Sequence, residues 1–188
     1  MEPHLRDRVS LYWQHAAFTW IHVVGAALWV GPQVYLATGW PGAARQIADT
    51  ATKVEVIRVL TLRFAYLGGF GLLLLAGAGT FLIWTWRDYY AQPGEVGFWE
   101  LRYGVVFTVK MAALAVMLAI TALHMFVVGP RQLEAMAAEG RGEPGAEERL
   151  ARTRRQSRML SGTGLLLALA IMGMGAALST ASWSMQEW

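Results

Sequence analysis

Apolar residues run along this chain in four long blocks, roughly 16–37, 64–86, 103–128 and 159–180, and polar residues crowd into the segments between them. An amphipathic helix of a water-soluble bundle carries polar residues every third or fourth place. These blocks do not. Each has more than 18 residues, and at 1.5 Å per residue that crosses a hydrocarbon core of about 30 Å. Inside lipid the backbone must satisfy its own hydrogen bonds, which a helix does within one segment. The pattern therefore predicts an all-α, integral membrane four-helix bundle in a single domain over residues 1–188. Between the third and fourth blocks, residues 130–157 form the longest polar stretch. Its "AAEGRGEPGAEE" has the glycine, proline and charge of a mobile connector, and the following "ERLARTRRQSRML" reads as a basic helical lead-in to the fourth span.

Composition and charge add orientation. Of 188 residues, 55% are hydrophobic and only 15% charged, and the formal net charge is +3. Arg45, Lys53, Arg58, Arg131, Arg141, Arg149, Arg152, Arg154 and Arg155 follow the first and third blocks, against Arg6, Arg8, Arg87 and Arg102 on the other side. Lysine and arginine mark the cytoplasmic side, so both termini are expected on the outer (periplasmic or extracellular) side and loop 130–157 in the cytoplasm. Tyr12, Trp13, Trp84, Trp86, Tyr89, Tyr90, Trp99, Tyr103 and Trp183 cluster where the outer interface then falls, the depth that amphipathic rings prefer. The basic loop suits anionic lipid, so the expected partner is the bilayer and not nucleic acid. The first block is longer than a signal h-region and its leader mixes acidic with basic residues, so it reads as a retained anchor. The expected location is a multi-pass plasma membrane protein of bacterial type. Cysteine is absent, which excludes disulfides, thiolate metal sites and iron–sulfur ligation.

Ionisable groups inside a span cost roughly 2.5–3.5 kcal/mol when charged and are functional candidates by default. Here they are His22 in the first block, Arg63 at the start of the second, and Lys110 and His124 in the third. His15 also lies early in the first helix, where it reads as a solvated interfacial residue. Steps of seven return to nearly the same helix face, so His15, His22 and Trp29 form one stripe, and Lys110 and His124 share another. His22 and Lys110 should lie at similar depth, roughly 10 Å below the outer interface. His124 should lie about 21 Å deeper, near the level of Arg63. One haem clamped between His22 and His124 conflicts with that offset. Haem against His22, with Lys110 near a propionate, does not, and His124 is left for a second haem or a proton path. The glycine-rich "GGFGLLLLAGAG" of the second span reads first as a helix-packing face. The methionines read as gap-filling core rather than a copper relay.

At "IHVVGAALWVGP" the first span resembles the first helix of copper-resistance-D (CopD-like) membrane proteins, with His22, small residues, Trp29 and Gly31. It is also similar to the first helix of HemJ-type protoporphyrinogen oxidases, whose histidine precedes a tryptophan by seven positions. The resemblance continues at "LTLRFAYLGGFGLLLLAGAGTFL", where Arg63 opens the second span, and at "RYGVVFTVKMAALAVML", where Lys110 matches a lysine early in the third helix. It covers the four spans and not the long loop. The HemJ likeness implies His22 as a haem-associated histidine, and Arg63 and Lys110 as charged partners of a porphyrin. The expected function is a b-type haem-binding membrane protein acting in electron transfer or porphyrin oxidation. Site residues are then Lys110 and Arg63 as catalytic groups, His22, Trp29 and His124 around the cofactor, and His22 and His124 as metal ligands. The alternatives are a CopD-like copper transport or resistance protein and a cofactor-free accessory subunit of a larger membrane complex. Expected partners are a redox partner or such a complex, with homo-oligomers possible.

Overall fold

A computed structural model describes residues 3–90 and 96–187, with the side chains of residues 3–7, and so of Arg6, outside the described part. The described residues are all-α with no strand; an isolated antiparallel bridge joins Leu101 to Glu187. In chain order the helices are α1 (Pro3–Thr38), α2 (Trp40–Arg45), α3 (Thr50–Trp84), α4 (Trp86–Tyr89), α5 (Arg102–Leu123), α6 (Gly129–Gly140), α7 (Ala146–Leu178) and α8 (Ala181–Ser184). A 3₁₀ turn covers Phe98–Glu100, and a π-helical turn, His124–Val128, joins α5 to α6. Four helical stretches, Arg8–Arg45, Thr50–Trp84, Arg102–Gly140 and Ala146–Leu178, are long and apolar enough to cross a membrane. Large apolar side chains stand bare along them: Trp20, Tyr66, Leu73, Trp84, Phe126 and Leu166 are each more than two-thirds exposed. Water penalises such a surface and lipid does not.

The start of α3 and the α6–α7 turn have local causes. Asp49 caps α3 by accepting the Thr52 amide at 2.7 Å and the Ala51 amide at 3.3 Å, which serves two of the amides a helix start leaves unpaired. These bonds hold the Asp49 carboxyl below the usual carboxylate range, the Thr52 side-chain and backbone bonds being the largest causes. The segment expected to be a mobile connector is instead a tight turn of residues 141–145. α6 runs on to Gly140 and α7 begins at Ala146. Gly142 and Gly145 take φ of +71° and +70°, a region that a side chain disfavours. Glu143 accepts Arg141 at 2.7 Å and lies 3.6 Å from Arg149.

The π turn has a cause in the sequence. Pro130 has no amide hydrogen and its ring crowds the carbonyl four residues back. The preceding turn widens, and the Gly129 amide bonds the His124 carbonyl, five residues earlier. Single π turns of this kind recur at functional positions.

The chain divides into two compact units. One comprises Met1–Trp29, Leu67–Lys110 and Met172–Trp188. Trp86, Leu101, Tyr103 and Leu178 form its buried core, with Trp86 stacked on Tyr103 at 5.3 Å. The Arg102 amide donates to the Gln186 carbonyl at 3.0 Å and the Tyr90 hydroxyl to the Leu178 carbonyl at 3.4 Å, which ties the chain end to this core. Here α1 and α3 meet at Gly25 and Gly71. A β-carbon at either would stand 2.8 Å from the other's carbonyl oxygen, so the small residues of the second span do serve helix packing at this point. The other unit comprises Val30–Tyr66 and Met111–Ile171. Its core gathers Ala135, Met136 and Leu150 with Val54 and Ile57 packed against them.

Candidate functional site

His22 lies on α1 in the first unit. Its Nδ1 is 3.2 Å from the Leu75 carbonyl oxygen of α3. A carbonyl only accepts, so Nδ1 carries the proton, and in the neutral ring Nε2 keeps its lone pair. Such a bond fixes both tautomer and ring plane, as partners of metal-bound histidines do. Space for the ring comes from Gly79, one turn further along α3. A β-carbon there would stand 3.2 Å from His22 Cε1 and 3.4 Å from Nδ1. His22 thus sits in a notch that a larger residue at position 79 closes.

Lys110 belongs to the same unit. Its Nζ reaches α7, 3.4 Å from where a β-carbon on Gly175 would stand. None of the ion pairs among the described residues includes Lys110; all of them lie near α3's start or around the α6–α7 turn. The four blocks predicted as spans hold no Asp or Glu. Within those blocks the site therefore offers an amine with no carboxylate. Trp29, the third member of the α1 stripe, is 5% exposed, and its backbone packs against α3 at Gly71.

His124 and Arg63 fall in the other unit. His124 opens the π turn, and its Nε2 lies 2.9 Å from Ser157 Oγ and 3.4 Å from Ser161 Oγ, both on α7. These groups form the polar end of a recess of about 330 Å³ whose wall also includes Gln33, Thr61 and Thr121. Arg63 is exposed and is not part of that wall. One of the two His124 ring nitrogens thus faces two hydroxyls. Ser157 and Ser161 were not singled out in the sequence, although their four-residue spacing places them on one helix face.

His15 departs most from its reading. Expected to be solvated, it is 7% exposed. Its ring stacks on Tyr89 at 3.6 Å, nearly parallel at 8°, and Tyr90 stands edge-on at 6.5 Å. Its Nε2 is buried and has no hydrogen-bond partner among the described residues. Burial, with Tyr89 beside it, holds the Tyr90 phenol above its ordinary range, so it stays neutral. The tyrosines after α3 that were read as interfacial anchors are what cover this histidine.

No group of three histidine, aspartate or glutamate side chains gathers among the described residues. Set against family models, curated proteins and solved structures, the chain matches none.

Proposed function

We propose that this protein is a multi-pass bacterial plasma membrane protein that binds b-type haem through His22 and works in electron transfer or porphyrin oxidation. The observation that carries the reading is the bond from His22 Nδ1–H to the Leu75 carbonyl, which leaves Nε2 as an unprotonated donor in the unit that also holds Lys110. Haem asks a protein for an imidazole of fixed tautomer and cations for its propionates. This unit supplies both, and its membrane core has no acid to compete for the lysine. Bound haem would supply one-electron chemistry; the chain would orient the imidazole, hold the counter-charge and exclude water. His124 has its Nε2 turned to Ser157 and Ser161, which favours proton transfer there over ligation. Arg63 is proposed as an inner-face cation.

In this reading both termini face outward and the α6–α7 turn faces the cytoplasm, as the distribution of lysine and arginine directs. The CopD-like copper reading draws less support. Soft Cu(I) needs several sulfur or imidazole donors together, whereas Met111 and Met172 are exposed and Met117 is buried in packing. The partner is a membrane redox protein or larger complex.

The test is visible absorption with metal analysis on the full chain purified in lipid nanodiscs. A Soret band that disappears in His22→Ala and weakens in Lys110→Met supports haem. Stoichiometric copper without that band overturns it, and so does a Soret band unchanged in His22→Ala.

A further inference from the structure

The first unit holds a second recess, about 430 Å³, that the haem reading does not use. Tyr12, His15, Thr19, Tyr89, Tyr90 and Ser179 line it. Its volume lies within the range of small-ligand sites. The imidazole of His15 is more than nine-tenths buried, and its Nε2 has no hydrogen-bond partner among the described residues. Stacking on Tyr89 at 3.6 Å fixes its plane, and Tyr12 and Tyr90 meet Tyr89 edge-on at 5.4 Å and 4.9 Å.

The lining decides the class of ligand. Among the described residues, aliphatic hydroxyls, phenols and one imidazole line the space, and none of these is a carboxylate, a lysine or an arginine. A phosphate or a metal cation would enter without its counter-charge. A neutral, flat ring with oxygens at its edge meets aromatic walls and neutral donors and acceptors. In a bilayer the abundant molecule of that description is a quinone or its quinol. We propose that this recess binds the ring of a membrane quinone, with the His15–Tyr89 stack in its wall and the surrounding hydroxyls meeting the ring oxygens. The inference rests on the electron-transfer reading above and names the partner. Seven residues along one helix face separate His15 from His22, a rise of about 10 Å, so the ring and the His22 site lie on one stripe.

Binding is measured on the full chain in nanodiscs, with a short-tailed ubiquinone and a short-tailed naphthoquinone as probes. Quenching of intrinsic tryptophan fluorescence follows the titration. We expect saturable quenching by one of the two. His15→Leu should raise Kd about tenfold through loss of the stacked aromatic wall, and Tyr89→Leu should do likewise. Size exclusion reports whether each variant is folded, and His15→Asn, smaller and still polar, stands in if the leucine variant aggregates. Quenching that is linear in quinone, as for partition into lipid alone, overturns the inference, and so does an unchanged Kd in a folded His15 variant. The Soret band is recorded on the same samples. Saturable quinone binding without a Soret band keeps the recess and removes the haem reading; a Soret band that depends on His22, without quinone saturation, does the reverse.

Discussion

Replacing Gly25 by alanine tests how helix packing holds the His22 site. A β-carbon at position 25 stands 2.8 Å from the Gly71 oxygen and 3.0 Å from the Leu75 amide nitrogen. Both are backbone atoms of α3, so no side chain can swing aside. Ordinary contact begins at 3.4 Å, so the helices must part locally by the difference, about 0.6 Å, or α3 must shift by as much. The same Leu75 offers its carbonyl to His22 at 3.2 Å. Moved by that amount, the hydrogen bond stretches to about 3.8 Å, beyond the range in which an N–H···O bond is formed. Overpacking against backbone costs about 1–3 kcal/mol, and loss of the hydrogen bond adds about 0.5–1.5 kcal/mol. Two measurements follow this. Reversible unfolding in bicelles gives the stability loss, and nitrogen-15 NMR of the histidines gives the tautomer. Gly25→Ala should lower stability by about 1.5–4.5 kcal/mol, with His22 losing its preference for the Nδ1–H form. Gly69→Ala and Gly77→Ala, where a β-carbon meets nothing within 4 Å, should change neither. If Gly25→Ala matches the parent in both, the packing argument is wrong.

Three further outcomes are expected. A methyl at Gly104 falls on the Phe98 carbonyl, a backbone group, so Gly104→Ala should lower the thermal midpoint by several degrees, while Gly162→Ala, in open space, should not. A double-mutant cycle of His124→Ala and Ser157→Ala should show a coupling of about 0.6 kcal/mol; Pro130→Ala, which restores an amide hydrogen and lets the π turn close, should abolish it, and a coupling indifferent to residue 130 refutes the account of that turn. The Asp49 carboxyl, held low by its bonds to Thr52, strengthens the start of α3 above the ordinary carboxylate pKa of about 3.9. That contribution is lost as pH falls through this value towards the lower native one; Asp49→Asn should flatten stability over that window, and carbon-13 titration of the carboxyl should place its midpoint below the ordinary one.

The four membrane-length helices were legible in the sequence because crossing lipid is a one-dimensional requirement, met by the length and polarity of a single segment. Grouping His22 with Lys110 needed little more, since helical rise converts sequence position into depth. Gly142, Pro144 and Gly145 mark a break between helices in the sequence, and two positive φ angles within five residues build that break into a tight turn. The π turn at His124 had its signal in Pro130, six residues on.

What only the tertiary structure decided is which surfaces meet. No periodicity says that Gly71 rather than Gly69 receives α1, that Gly79 makes room for the His22 ring, or that Leu75 holds its proton. Nor could His15 be read as buried, because its cover, Tyr89, lies 74 residues away on another element. Sequence by itself determined the helices and their inventory of charge. Contact between helices decided the state of each polar group, because a hydrogen bond needs its partner within about 3 Å, and the rotation and separation of neighbouring helices set that distance.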